Sequence, residues 1–169
     1  LNMSDKESIT IDEEIKSLEL YLELEKLRFE DNFSYDVSVS HVLLNNHYRL
    51  PAMLIQPYVE NAIKHGLLHQ QGPKTVTILF DIDPSDNSII ICTIEDNGIG
   101  RVRSEALNAM RLKKHTSFST GATKKRLELL NQGKENAIVV DFNDLYDADG
   151  LAKGTKVTLR IASSQTNTF

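Results

Sequence analysis

Residues 88 to 95, SIIICTIE, are apolar on both faces of any strand they could form, which places them at the centre of a sheet rather than at its edge. The run before it, TVTILFDID (75–83), connects through PSDN, and those four residues are turn formers. Two strands so joined are expected to be antiparallel neighbours. Three further runs complete the sheet: FSYDVSVS (33–40), with strict alternation, AIVVDFN (137–143) and TKVTLRIA (155–162), the last two separated by the polar stretch DLYDADGLAKG. Five strands and about four helices emerge, in an order unlike repeated βαβ units.

The longest helix is predicted over TIDEEIKSLELYLELEKLRFED (10–31), opened by a capping box between Thr10 and Glu13. Its apolar residues form two stripes. Ile11, Ile15, Leu18 and Leu22 make one, and Leu20, Leu24 and Leu27 the other, wider than a helix resting on one surface needs. Either the stripe is simply broad, or the helix connects this domain to a second, neighbouring helix. A further helix is expected in LPAMLIQPYVENAIKHG, with Pro51 in its first turn, Pro57 bending it, and Gly66 as its stop. Residues 104–114 read as a short helix capped by Ser104, and 122–132 as another ended by Gly133. The segments around His41, Asn45, Asn46 and His47, and KKHTSFSTG, read as polar loops.

Composition narrows the function classes. A chain of 169 residues, 40% apolar and 25% charged, fits one domain with an extra element at one end. The net charge of −5 argues against a nucleic-acid partner, which would need a surplus of Lys and Arg on one face. A single cysteine, Cys92, excludes disulfides within the chain, and its apolar surroundings predict a buried, inert thiol. No run reaches the 18 or so apolar residues that span a bilayer, and the N-terminus has no signal-peptide pattern. The chain is expected to be soluble as given and is compatible with excision from a longer protein.

Two stretches carry candidate chemistry. On the second helix, Glu60, Asn61, Lys64 and His65 share one face, opposite Val59, Ala62 and Ile63. Such a face is either ordinary solvated surface or a set that suits a magnesium-bound polyphosphate: an amide oxygen and a carboxylate for the hard cation, a lysine and a histidine for phosphate oxygens. The second stretch is EDNGIG (95–100), either a tight turn after a strand or a carboxylate held beside a permissive backbone. His65 and His69 are four apart, but Gly66 intervenes and no third ligand follows, so zinc is not expected.

Taken together, PYVENAIKHG and EDNGIG resemble the N box and first glycine box of the GHKL (Bergerat-fold) ATPases. With IDEEIKSLELYLELEKLRF, RLELLN and GTKVTLRI, the sequence looks closest to sensor histidine kinases of the LytS type, from about residue 10 to 162. The resemblance implies an α/β (α+β) two-layer sandwich, a mixed five-stranded sheet with helices on one face, preceded by a linker helix. Residues 1–31 would be that signalling helix and 32–169 the ATP-binding catalytic domain. It implies ATP and Mg²⁺, with Asp96 accepting from the adenine amine and Thr155 sharing a water with it. A bond to a charged acceptor is worth roughly 1.5–3 kcal/mol, so its loss should weaken binding about ten- to hundredfold. Gly98 and Gly100 would let the backbone approach the nucleotide. By the same matching, Asn61 would hold Mg²⁺, Lys64 and His65 would lie near the phosphates, and Glu60 would assist proton removal from the acceptor.

Two departures stand against this likeness. The second glycine box reads HTSFSTGATKKRL, with Ser119 or Thr120 where glycine is usual and Gly121 alone, so the lid's contacts to phosphate stay open between a solvated loop and a set of hydroxyls and amides that includes Ser117 and Lys124. The Asn-Pro-Phe-rich motif with the acceptor histidine is also absent from these residues. The implied partners are therefore a dimerisation helix and second protomer outside the fragment, then a response regulator. The implied location is a cytoplasmic domain of an inner-membrane protein. A nucleotide-binding module without transfer activity and an anti-sigma-type serine kinase are the alternatives.

Overall fold

The structure is a computed structural model that describes residues 8–29, 32–44, 48–111, 118–133 and 137–163. Among the described residues, seven strands and five α-helices follow in the order β1 (Ser8–Thr10), α1 (Ile11–Phe29), β2 (Phe33–Val39), α2 (His41–Leu44), β3 (Arg49–Pro51), α3 (Gln56–Asn61), β4 (Lys74–Asp83), β5 (Asp86–Asp96), α4 (Arg101–Arg111), α5 (Phe118–Leu130), β6 (Ile138–Tyr146) and β7 (Ala152–Ala162). The main sheet has the order β2-β4-β5-β7-β6, with β2 and β4 parallel and the other pairs antiparallel. The apolar run of β5 is thus the middle strand, as its two-faced hydrophobicity requires. Its Ile90, Cys92 and Ile94 point into the core with Ile78 and Phe80 of β4 and Leu159 and Ile161 of β7. This is the mixed-sheet α/β sandwich anticipated from the sequence.

Helix α1 begins with the capping box. Thr10 donates its backbone N–H to Glu13 at 2.8 Å, and Glu13 donates its own to the Thr10 hydroxyl at 3.3 Å. Leu18 and Leu22 are fully buried in the same core as the sheet, whereas Leu20, Leu24 and Leu27 are 66%, 59% and 79% exposed. Of the two stripes, one packs on this domain and the other faces solvent.

The region of the second helix differs from its sequence reading in three ways. Pro51 ends β3, which pairs with β1 in a separate two-stranded sheet, so it opens no helix. Pro57 does not bend a helix; it stands in the first turn of α3, where its missing N–H has no intrahelical partner to lose. Nor does Gly66 stop the helix, because the chain winds on through a π-helical turn, Ala62–Leu67. Further along, α4 starts at Arg101, three residues before the predicted cap, and Ser104 is a buried residue inside it. Helix α5 starts at Phe118 rather than 122. His41 lies in the short helix α2, not in a loop; Asn45, Asn46, His47, His115 and Ser117 fall outside the described residues.

Candidate functional site

Where β5 leaves the sheet, its last residue turns a carboxylate inward. Asp96 is 4% exposed, and its Oδ1 accepts the Gly98 amide at 2.8 Å. The loop is not a hairpin turn, since it leads into α4. Asn97 fastens it to the start of β4 by accepting the Thr75 N–H at 2.8 Å and donating to the Pro73 carbonyl at 2.9 Å. Burial drives the Asp96 carboxyl up to about 6, against the pull of the Gly98 and Thr155 amides. A carboxylate so desolvated still has acceptor capacity to satisfy, and it borders a cavity of about 380 Å³.

Glycines make this arrangement possible. A Cβ on Gly66 would stand 2.7 Å from Asp96 Oδ1, and one on Gly98 would fall 2.3 Å from the Gly66 carbonyl carbon. The backbones of the π turn and the loop therefore touch, joined by the Ile99 N–H donating to the Gly66 carbonyl at 3.1 Å. Gly98 is needed for this close approach, while Gly100 is needed for its φ of 77°. Gly154, opposite on β7, has φ 138° and leaves no room for a side chain beside the Asp96 carbonyl.

The α3 face and its π-helical continuation form the facing wall. Asn61 and His65 line the cavity together with Tyr58 and Ala62. The wider π turn brings Gly66 into the lining as well. Glu60 and Lys64 do not line it; they pair with each other at 2.9 Å, and Gln56 donates to the other Glu60 oxygen at 3.2 Å. Partial burial, then the charges of Lys64 and His69, lower the His65 pKa and favour its neutral form. Thr155 is buried directly across from Asp96 in the β5–β7 register and also lines the cavity. Ser119, Thr120 and Gly121 fall in the first turn of α5, and Gly121 has open space around it.

Sequence reading missed the walls. Tyr58 and Phe142 meet at 6.3 Å between ring centroids, and Arg101 lies over the Phe142 ring at 5.4 Å while holding Asp144 through two 2.8 Å bonds. Aromatic side chains on α3 and β6 gave no signal by spacing, because only the β6–β7 register brings them to one cavity. The cavity thus combines apolar lining from Tyr58, Ala62, Phe142 and Val157 with a buried carboxylate, a mix that suits a ligand with an apolar ring and a hydrogen-bond donor.

No protein-family model matches the chain. It is 36% identical over 97 residues to the sensor protein LytS of Staphylococcus haemolyticus, a match that takes in 55% of this chain and 15% of that protein. This chain is similar in sequence to part of the LytS-type sensor kinases. Solved histidine kinase structures share the fold of this chain. The mycobacterial sensor histidine kinase MprB superposes with a TM-score of 0.57 at 16% identity, over 95% of this chain and 99% of that one. Histidine kinase ThkA, in a crystal structure with the response regulator TrrA, gives 0.58 at 11% identity, over 95% of this chain and 42% of that one. The chain thus spans about one-seventh of the length of the LytS proteins it matches.

Proposed function

We propose that this chain binds MgATP and, within a longer sensor kinase, passes the γ-phosphoryl to a histidine outside these residues and from there to a response regulator. The observation that carries the reading is the buried Asp96 carboxylate, which lines the same largely apolar cavity as Asn61. A fixed anion meets a donor on adenine where guanine presents a carbonyl, so it selects ATP over GTP. Tyr58, Phe142 and Val157 supply the apolar faces for the base, and Thr155 stands beside the carboxylate to share a bridging water.

Asn61 and His65 face the same space from α3, where an amide oxygen suits Mg²⁺ and an imidazole suits a phosphate oxygen. Bound Mg²⁺ neutralises charge on the phosphates during transfer. Lys64 adds a cation at the rim, and Glu60, oriented by Lys64 and Gln56, is the group assigned to accept the acceptor's proton. The incoming imidazole nitrogen forms a bond to the γ-phosphorus as the bond to the bridging oxygen breaks and ADP leaves. Gly98 and Gly100 keep the loop against the nucleotide, and Ser119, Thr120 and Gly121 offer hydroxyls and amides from the start of α5. Residues 1–31 are assigned to the end of the dimerisation region and 32–169 to the ATP-binding domain. The ThkA–TrrA complex supports a response regulator as partner.

Calorimetric titration tests the reading. The chain should bind MgATP in preference to MgGTP, and Asp96→Asn should weaken MgATP roughly ten- to hundredfold. The isolated chain should barely phosphorylate itself, yet phosphorylate a full-length kinase made inactive in its own ATP site. A chain silent to MgATP would sink the proposal. A second reading, nucleotide binding without transfer, is favoured by one observation: the residues replacing the second glycine box are taken up into helix α5. Tight MgATP binding with no phosphohistidine on any supplied acceptor would select it.

A further inference from the structure

The α3 helix that carries Asn61, and whose π-helical continuation carries His65, is held at its start by a carboxylate from another element. Glu14, on α1, is 2% exposed, and its Oε1 accepts the Ile55 N–H at 3.1 Å, with the Met53 and Gln56 amides also directed to it. Arg126 of α5 holds the same short connection from elsewhere, donating to the Ala52 carbonyl. Between these two anchors Met53 has φ 53°, the one non-glycine residue with positive φ among those described. Such a conformation persists only where its surroundings over-determine it. A leucine at position 14 could fill the space without desolvating a charge. The carboxylate is therefore accounted for by the backbone donors it gathers rather than by packing.

We propose that Glu14 is a positioning residue for the nucleotide site, through which the placement of α1 against the start of α3 sets where Asn61 and His65 stand in the cavity. The inference rests on the MgATP reading above. Its consequence is regulatory. Any displacement of α1 would reach the ligand wall through that one side chain.

Glu14→Gln tests this with little change in volume, replacing one acceptor oxygen by an amide NH2 group that donates and cannot accept. Thr10→Ala is the control: it weakens the start of α1 and touches neither α3 nor the cavity. At a temperature where circular dichroism shows every variant folded, Glu14→Gln should weaken MgATP about tenfold, the lower end of what losing an outer support costs a ligand site. Thr10→Ala should stay near wild type. The gain in ADP affinity on adding Mg²⁺, which reads Asn61, should also shrink in Glu14→Gln alone. Wild-type affinity in Glu14→Gln, or a loss matched by Thr10→Ala, overturns the proposal. If Glu14→Gln does not fold, Arg126→Ala carries the same expectation and the same overturning result. Should the wild-type chain fail to bind MgATP, the functional reading falls separately. The coupling is then read in ligand-free protein: Glu14→Gln should shift the Asn61 side-chain and His65 NMR resonances, and unmoved resonances would refute it.

Discussion

Gly66 and Asp96 approach so closely that a methyl group on the glycine would lie 2.7 Å from the aspartate's Oδ1. The π-helical turn after α3 and the loop after β5 are therefore fitted to each other. Gly66→Ala must push the carboxylate aside, so it should lower MgATP affinity and cost about 1–3 kcal/mol of stability, as overpacking does. Gly98→Ala should be worse. Its Cβ would meet Gly66 backbone, which cannot swing away as a side chain can. Urea unfolding of both variants, ranked against each other, checks the order.

Asp96 should make stability depend on pH in a particular window. Its folded pKa is raised from 3.8 to about 6, so the unfolded chain loses this proton first as pH rises. The group's contribution is intact below about pH 3.8 and is lost as pH climbs through about 6. Asp96→Asn cannot ionise, and its amide oxygen can still accept from Gly98. The variant should be more stable than wild type at pH 7.5 by about 1–3 kcal/mol, with the difference closing near pH 4. Thermal melts at the two pH values measure it; equal gaps at both would refute the assignment. Gaining stability while losing nucleotide would mark Asp96 as a residue kept for binding.

The two stripes of α1 should respond oppositely to substitution. Leu18→Ala opens a cavity in the shared core and should cost about 2–5 kcal/mol. Leu24→Gln or Leu27→Gln, on the solvent stripe, should stay within about 0.5 kcal/mol. Chemical denaturation of the three variants suffices. A large loss from Leu24→Gln would mean that stripe is buried in solution.

Cys92 reports on global unfolding. It is fully buried on the central strand, and burial raises its thiol pKa well above the usual range. A thiol reagent should therefore label native protein only at the rate of global opening, and labelling should rise with urea in step with circular dichroism. Rapid labelling without denaturant would contradict a closed central strand.

Most of the sheet was legible because strand signals are local. Alternation in β2, turn formers before β5 and the two-faced apolar run of β5 each depend on neighbours a few residues away. The capping box of α1 is local too, and it is present as read. Asp96, Asn61, His65 and Thr155 could be named by type and motif, and they border one cavity.

What the tertiary structure decided concerns contacts between segments distant in sequence. Only the packing of α3 on the β5 loop reveals that Gly66 makes room for a carboxylate instead of ending a helix. Only the strand register sets Phe142 against Tyr58, and only burial distinguishes Leu18 from Leu20 on a helix where both are leucine. Glu14 reads as one more charge in an acidic first turn, yet it is buried against α3. Sequence pattern encodes which residues prefer water and which backbone shapes come easily. It does not encode which distant group will occupy the space beside a side chain, and at this site that neighbour determines each residue's role.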